Sequence, residues 1–186
     1  ASITSGTATA GRIDFENSSI VLTQSVKFDS SASGGANIEL AGVSSDEPES
    51  RSLTLNAGGD GDVEIEGRIG GVSLGTLAIE AANNVEFTST DTAAVAALRV
   101  GITDASETPI NRFTSNGTID ALNGGITVIT DGVGATAIEF NGGADSHGHS
   151  IILEAADDIT FGGVVQSTGP LTGDILQIRG RSVGTT

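Results

Sequence analysis

The sequence predicts an all-β fold, and the architecture it favours is a parallel β-helix, in which the chain winds through stacked coils. Three observations lead to this prediction: a short apolar–variable–apolar triplet recurs along the chain, alternate triplets are spaced regularly, and only 3% of the residues are aromatic. A core of stacked Val, Ile, Leu and Ala needs few large rings. At about 21–25 residues per coil, the chain of 186 residues forms roughly 7–8 coils.

Each triplet places its two outer residues on one face and its middle residue on the other, because side chains alternate along an extended chain. The middle residue is usually charged or Thr, so we expect it to face water. The triplets are therefore short, half-buried strands. The thirteen copies are Ile13–Phe15, Val26–Phe28, Ile38–Leu40, Leu53–Leu55, Val63–Ile65, Leu77–Ile79, Val85–Phe87, Leu98–Val100, Ile126–Val128, Ile138–Phe140, Ile151–Leu153, Ile159–Phe161 and Leu176–Ile178.

The spacing of the triplets distinguishes between all-β architectures. Leu53 and Leu77 are 24 residues apart, and Ile138 and Ile159 are 21 apart, with another triplet in between. A repeat of this length that carries two or three strands fits one coil of a β-solenoid. An antiparallel β-sandwich is the alternative, since it also contains short alternating strands. Self-similar blocks and a content of only 3 Pro favour the solenoid.

Polar corners separate the strands within each block. Asn83-Asn84 and Asp157-Asp158 occupy equivalent corners, and Asp, Asn and Gly tolerate the left-handed backbone of tight turns. If the coils stack, such side chains form amide or carboxylate ladders. Residues 92–97 are predicted to be a loop or a single turn. Stretches 44–51 and 103–117 interrupt the repeat and are predicted to project from a single domain, 1–186.

Composition excludes several classes of protein. The chain has 24 acidic and 8 basic residues and a net charge of −16, which repels phosphate backbones, so we expect no nucleic-acid partner. It has no Cys, which excludes disulfides and thiolate sites. No apolar stretch is long enough for a membrane span. The start, Ala1-Ser2-Ile3, indicates a processed mature protein or a fragment.

Three blocks resemble the degenerate repeats of filamentous-haemagglutinin-like and other giant bacterial surface adhesins. They are Ser52–Gly67, Gly75–Thr88 and Ser150–Gly162, and Arg68–Leu77 resembles the phrase that links such repeats. The resemblance covers residues 11–100 and 120–180. It implies a secreted, extracellular β-helix at the cell surface that serves as a stalk or spacer.

The function expected from these features is structural: a rigid stalk or spacer, or a self-assembling filament subunit. Because solenoid ends carry unpaired strand edges, we expect the coils to continue in a longer chain or to associate end to end. The first alternative is an adhesin module whose projecting loops bind a surface glycan or protein. The second is a polysaccharide-processing enzyme.

An enzyme is not favoured, because the sequence shows no catalytic motif. Its acidic residues are dispersed, no Trp or Tyr is available to stack on sugar rings, and no Ser/His/Asp arrangement or phosphate loop is present. We therefore predict no catalytic residues and no bound organic cofactor.

The candidate metal ligands are Asp60, Asp62 and Glu64, in a segment that approaches a calcium-binding nonapeptide. Its aspartate is one position early and no tandem copy follows, so a turn with solvated charges is the competing interpretation.

Two further motifs are short. His147-Gly148-His149 places two imidazoles on one face if the segment is extended, which suits a weak transition-metal site. Asn17 and Asn116 begin glycosylation sequons.

Overall fold

The protein is a three-sided parallel β-solenoid, as seen in a computed structural model that describes residues 1–4, 11–101, 110–132, 137–170, 176–180 and 183–185. Every strand pair in these residues is parallel and joins one coil to the next. The predicted parallel β-helix is confirmed, and the antiparallel sandwich is wrong.

The first side of the solenoid contains the longest strands, two of which continue around a corner from the third side. Its strands are β1 (Ser2–Thr4), β4 (Val26–Asp29), β7 (Leu53–Asn56), β9 (Leu74–Ala81), β11 (Ala93–Val100), β14 (Ile126–Thr130), β17 (Ile151–Ala155) and β20 (Leu176–Arg179).

In the part of the chain that the structure describes, the second side is a continuous sheet of eight strands, one from each coil. In stacking order they are β2 (Ile13–Phe15), β5 (Ile38–Leu40), β8 (Val63–Ile65), β10 (Asn84–Phe87), β12 (Arg112–Ser115), β15 (Ile138–Phe140), β18 (Ile159–Phe161) and β21 (Val183–Thr185).

The third side has shorter strands, which the triplet pattern does not predict. They are β3 (Ile20–Leu22), β6 (Val43–Ser45), residues 93–95 of β11, β13 (Ile119–Ala121), β16 (Ala144–Asp145) and β19 (Val165–Gln166). In the third coil this side carries a single bridge, from Ile69 to Val43, and the start of β9, where Leu74 pairs with Val95 of β11. Among the described residues, the eight coils form about six complete turns, somewhat fewer than the predicted 7–8.

All thirteen predicted triplets are strands or parts of strands. Two predicted irregular segments differ. Residues 92–97 are not a loop, because Ala93–Ala97 begins β11, whose buried Ala and Val side chains pack against the core. The predicted loop 103–117 includes β12 from Arg112 to Ser115, and residues 102–109 lie outside the described residues. The predicted loop 44–51 is a loop over 46–51, after β6.

Register explains how these short strands form a core. Each inward side chain lies on its counterpart one coil away, at the strand spacing of about 4.8 Å. On the first side this produces a fully buried column, Phe28, Leu55, Ile79, Val100, Val128 and Leu153. The core is thus a stack of similar apolar layers rather than a mixed interior.

One inner column of the second side is interrupted by a serine. The column contains Phe87, Ser115 and Phe140 in successive coils. Phe113, from the adjacent inner column, fills the space, with its ring centroid 5.4 Å from that of Phe87 and 5.3 Å from that of Phe140. The Ser115 hydroxyl donates to the carbonyl of Gly117 at 2.9 Å. The apolar layer therefore stays filled across this coil.

Close stacking also fixes glycines at the corners. A Cβ on Gly67 would collide with the carbonyl oxygen of Ala41 in the coil before it, and one on Gly101, where φ is +68°, with that of Ile129 in the coil after it. Both corners need a residue without a side chain.

We expect Phe113→Ala to lower the free energy of unfolding by about 3–5 kcal/mol, because it leaves a cavity between two rings that Ser115 cannot fill. Urea unfolding measures the change. The control Val164→Ala removes methyl groups from a side chain that is 70% exposed, and should change stability by less than about 0.5 kcal/mol. Equal losses in the two variants would contradict the stacked core.

Candidate functional site

The outward face of the second side carries a column of carboxylates in register. The middle residues of β2, β5, β8 and β10 are Asp14, Glu39, Glu64 and Glu86, each on a strand that pairs with the next. The column continues as Thr114, Glu139 and Thr160. Since strands are about 4.8 Å apart, four like charges follow one another at close range, which is unfavourable unless they are neutralised.

Two arginines neutralise the ends of this column. The Arg12 guanidinium binds Glu16 and Glu39 and lies 3.4 Å from Asp14. Arg112 binds Glu139, with Nη2 3.1 Å from Oε2. Between these arginines, Glu64, Glu66 and Glu86 have no salt bridge among the described residues. The centre of the face is therefore a patch of unneutralised negative charge.

A shallow groove of about 220 Å³ lies over this centre. Its polar walls come from three successive coils and are formed by Asp62, Glu64, Asn84, Glu86, Arg112 and Thr114. Strand alternation directs these side chains outward, and register brings them together. The groove has carboxylates at one end and a guanidinium at the other.

Glu64 is the titratable group that this environment perturbs. Partial burial raises the pKa of the Glu64 carboxyl, and the charges of Glu66, Glu86, Glu16 and Asp62 raise it further. Both causes disfavour the ionised form. The carboxylate column is thus a source of electrostatic stress in the folded chain.

The structure separates Asp60 from the other two predicted calcium ligands, Asp62 and Glu64, which both line the groove. Asp60 is exposed at a turn, where its backbone N–H donates to the Gly34 carbonyl at 2.9 Å. Asp62 lies at the corner before β8, and Glu64 points outward from that strand into the groove. Within the described residues, no three His, Cys, Asp or Glu side chains are grouped so as to hold a metal ion.

Asp62 instead joins two coils through amides. Its Oδ1 accepts hydrogen bonds from the Asn83 side chain at 3.0 Å, from the Asn84 side chain at 2.9 Å and from the Asn84 backbone at 3.0 Å. Asn111, one coil further, donates to Asn83 at 2.7 Å. The predicted polar ladder is confirmed at this corner. At the equivalent Asp157-Asp158 corner, the Asp158 carbonyl accepts from the backbone of Ala137 at 2.9 Å.

The loop 46–51 is tied to the wall of the solenoid. Arg51 Nε donates to Asp46 Oδ1 at 2.7 Å, and the Glu49 backbone donates to the Ser73 carbonyl at 2.8 Å. The Glu49 carboxylate accepts from the side chain of Asn123, 74 residues further along the chain. The loop therefore presents a fixed surface, with Glu49 held at a φ of +56°.

The remaining sequence motifs lie in turns. His147-Gly148 is a turn with positive φ at both residues, so the extended segment that would place His147 and His149 on one face does not form. Asn17 is exposed, whereas the Asn116 side-chain oxygen accepts from Asn141 at 2.9 Å. Glycosylation at either position stays a prediction.

Sequence reasoning missed Glu86, Arg112 and Arg12 as parts of the groove face. A signal was present, because Glu86 occupies the middle position of its triplet, as Glu64 does. Register alone reveals that Arg112 lies beside Asn84.

Comparison of the chain with protein-family models, with curated proteins and with solved structures found no match. Among the described residues, no helix has the length and apolar character needed to cross a bilayer.

We expect Asp62→Ala to lower the free energy of unfolding by about 1–3 kcal/mol, because amide donors of the next coil lose their acceptor. The loss should be the same with calcium and with EDTA in urea unfolding. Asp60→Ala is the control and should be nearly neutral. A loss seen only with calcium would show instead that Asp62 is a metal ligand.

Glu64→Gln should stabilise the protein near neutral pH. Because the folded-state pKa of Glu64 is raised above its usual 4.5, the wild type gains stability as pH falls through that pKa and loses it as pH rises. The variant should lack this component, so the difference between the two disappears in acid.

The matched control for this experiment is Glu139→Gln, in the same column but paired with Arg112. It removes a favourable ion pair and should be neutral or destabilising near neutral pH. The measurement is urea unfolding across the acidic range. If both substitutions stabilise equally, the effect belongs to net charge and not to the carboxylate column.

Proposed function

We propose that this chain is a structural segment of a bacterial surface adhesin or filament, acting outside the cell as a rigid stalk or spacer. The observation that carries the proposal is the uninterrupted register of the second side, where each of eight strands pairs only with its neighbours in the stack. Such a stack forms a rod whose length increases by about 4.8 Å with each coil. A spacer of this kind needs no binding pocket. The extracellular setting rests on the resemblance of the repeats.

The end coils support continuation of the stack. Ile3 on β1 is 45% exposed and Leu176 on β20 is 52% exposed, although their counterparts in the inner coils are buried. At the first coil an apolar cavity of about 250 Å³ opens between Phe15, Leu22, Val26 and Phe28. Exposed apolar edges of this kind invite further strands. We infer that more coils cover them, from the same polypeptide or from a second copy.

A spacer of this design should tolerate removal of one whole turn but not of part of one. Deleting residues 138–158 joins Ala137 to Ile159. Because Ile159 pairs with Ile138 in the intact chain, it takes the position of Ile138 and the register is kept. We expect the shortened chain to keep its β-sheet circular dichroism and a cooperative unfolding transition. X-ray scattering should show a maximum dimension shorter by about 5 Å.

The control for this deletion is removal of residues 138–148, which breaks the register and should unfold the neighbouring coils. If the whole-turn deletion unfolds the chain as the partial one does, the coils are not interchangeable units and the spacer proposal fails. Loss of cell adhesion on removal of loop 46–51, with the fold retained, would favour the glycan- or protein-binding alternative.

A further inference from the structure

The third side of the solenoid carries a polar cluster that links three successive coils. Asp120 on β13, Asp145 on β16 and Gln166 on β19 lie directly above one another on its outward face. His147 follows Asp145 by two residues, and Thr168 follows Gln166 by two. Two aspartates in register repel each other, so a cation beside them stabilises the stack.

His147 connects this cluster to the preceding coil. Its Nε2 lies 2.5 Å from Asp120 Oδ1, although the two residues are 27 apart in sequence. No Lys or Arg among the described residues forms a salt bridge with Asp120 or Asp145. A protonated imidazole is therefore the cation that the cluster has available.

Asp145 connects the same cluster to the following coil. Its Oδ2 accepts from the Thr168 hydroxyl at 2.7 Å and from the Gln166 amide at 3.0 Å, and its Oδ1 accepts from the Thr168 backbone at 3.0 Å. Oδ1 also accepts from the His147 backbone N–H at 3.0 Å. One carboxylate thus holds both the next coil and the histidine.

The backbone positions the imidazole. His147 has a φ of +46°, a left-handed conformation that is uncommon for residues other than Gly, although His, Asn and Asp adopt it more often than other residues do. The bond from its N–H to Asp145 and the positive φ of Gly148 maintain the turn that directs the ring back towards Asp120.

We propose that His147 is a pH-sensitive latch, which in its protonated form ties the coil of Asp120 to the coil of Asp145 and, through Asp145, to the coil of Thr168. On deprotonation the ion pair becomes a hydrogen bond between a neutral imidazole and a carboxylate, and no positive charge offsets the repulsion between the two aspartates. The final coils of the stack then hold together less firmly.

The charged groups that face His147 from the neighbouring strands are both carboxylates, and both raise its pKa. Asp120 comes from β13 and Asp145 from β16, while the strand after them contributes the neutral Gln166 and Thr168. The hydrogen bond to Asp120 raises the pKa of His147, and the charges of Asp120 and Asp145 raise it further, against the effect of partial burial. A raised histidine pKa gives stability that is complete below the usual value of 6.5 and is lost as pH rises through the folded-state pKa.

The test is an NMR titration of the histidine Cε1 protons in the full chain between about pH 5 and pH 9, a range that covers histidine titration. We expect His147 to titrate above the usual histidine value, and its midpoint to move down in Asp120→Asn. That variant keeps both the imidazole and its backbone turn. His149→Asn assigns the second histidine signal.

Urea unfolding at about pH 5.5 and pH 8.5 provides the second readout. In the wild type the unfolding equilibrium constant should be larger at the higher pH, by about tenfold for each unit by which the His147 pKa is displaced. In His147→Asn, whose new side chain tolerates positive φ, this pH dependence should largely disappear. The proposal is overturned if Asp120→Asn leaves the His147 midpoint unchanged. It is equally overturned if His147→Asn unfolds with the pH dependence of the wild type.

Hydrogen exchange locates the effect. After correction for the intrinsic pH dependence of exchange, amides that join β13, β16 and β19 should lose protection in the wild type at the higher pH. Examples are the amide of Ile119, which donates to the Gly143 carbonyl, and the amide of Ala144, which donates to the Val164 carbonyl. Amides between β2 and β5, at the other end of the stack, are the internal control. Equal loss of protection at both ends would contradict a local latch.

Discussion

The structure depends on one constraint: each coil must lie in parallel register on the coil before it. A coil alone cannot bury its apolar residues, because its strands are only two to five residues long except where β9 and β11 turn a corner. Stacking satisfies the backbone hydrogen bonds and closes the core in the same step. Any change that shifts one strand by a residue would turn its apolar side chains towards water.

The same register that builds the core imposes its pattern on the surface. Inward columns benefit from like residues in contact, but outward columns of like charge are unfavourable. Different side chains offset this repulsion in different coils. Arg12 and Arg112 neutralise the ends of the carboxylate column, amides surround Asp62, and His147 stands beside Asp120. Glu64 and Glu86 remain uncompensated, so the surface electrostatics vary from coil to coil while the core does not.

The sequence predicted the parts of the fold that follow from local alternation. Triplets such as Val63–Ile65 and Ile138–Phe140 identify strands because their outer residues are large and their middle residue is polar. The third side was missed, because β16 and β19 have two residues each and carry no such pattern. The first half of β11, Ala93–Ala97, was predicted to be a loop or turn because its alanines are small, and burial of small side chains depends on neighbouring coils.

The sequence analysis singled out groove residues only where they are close in sequence. Asp62 and Glu64 belong to one corner and strand, and both reach the groove. Asp60 does not, because the turn before Asp62 directs it to a different place. Arg112 reaches the groove from two coils away. Val63, Val85 and Phe113 occupy the same position in successive coils, and they are separated by 22 and then 28 residues in the sequence. Unequal turns of this kind cannot be placed in register from the sequence alone. His147 and Asp120 are separated in the same way.

The exchange between Phe113 and Ser115 shows what the repeats are free to vary. One inner column loses its ring at Ser115, and the adjacent column gains one at Phe113, so the layer keeps its bulk while both columns change. The quantity held constant is the volume of a layer, not the residue type along a column. Individual coils of such a protein can therefore diverge in sequence until their kinship is hard to detect, provided that changes within one coil compensate each other. Degeneracy in the repeats is then compatible with an evenly packed interior.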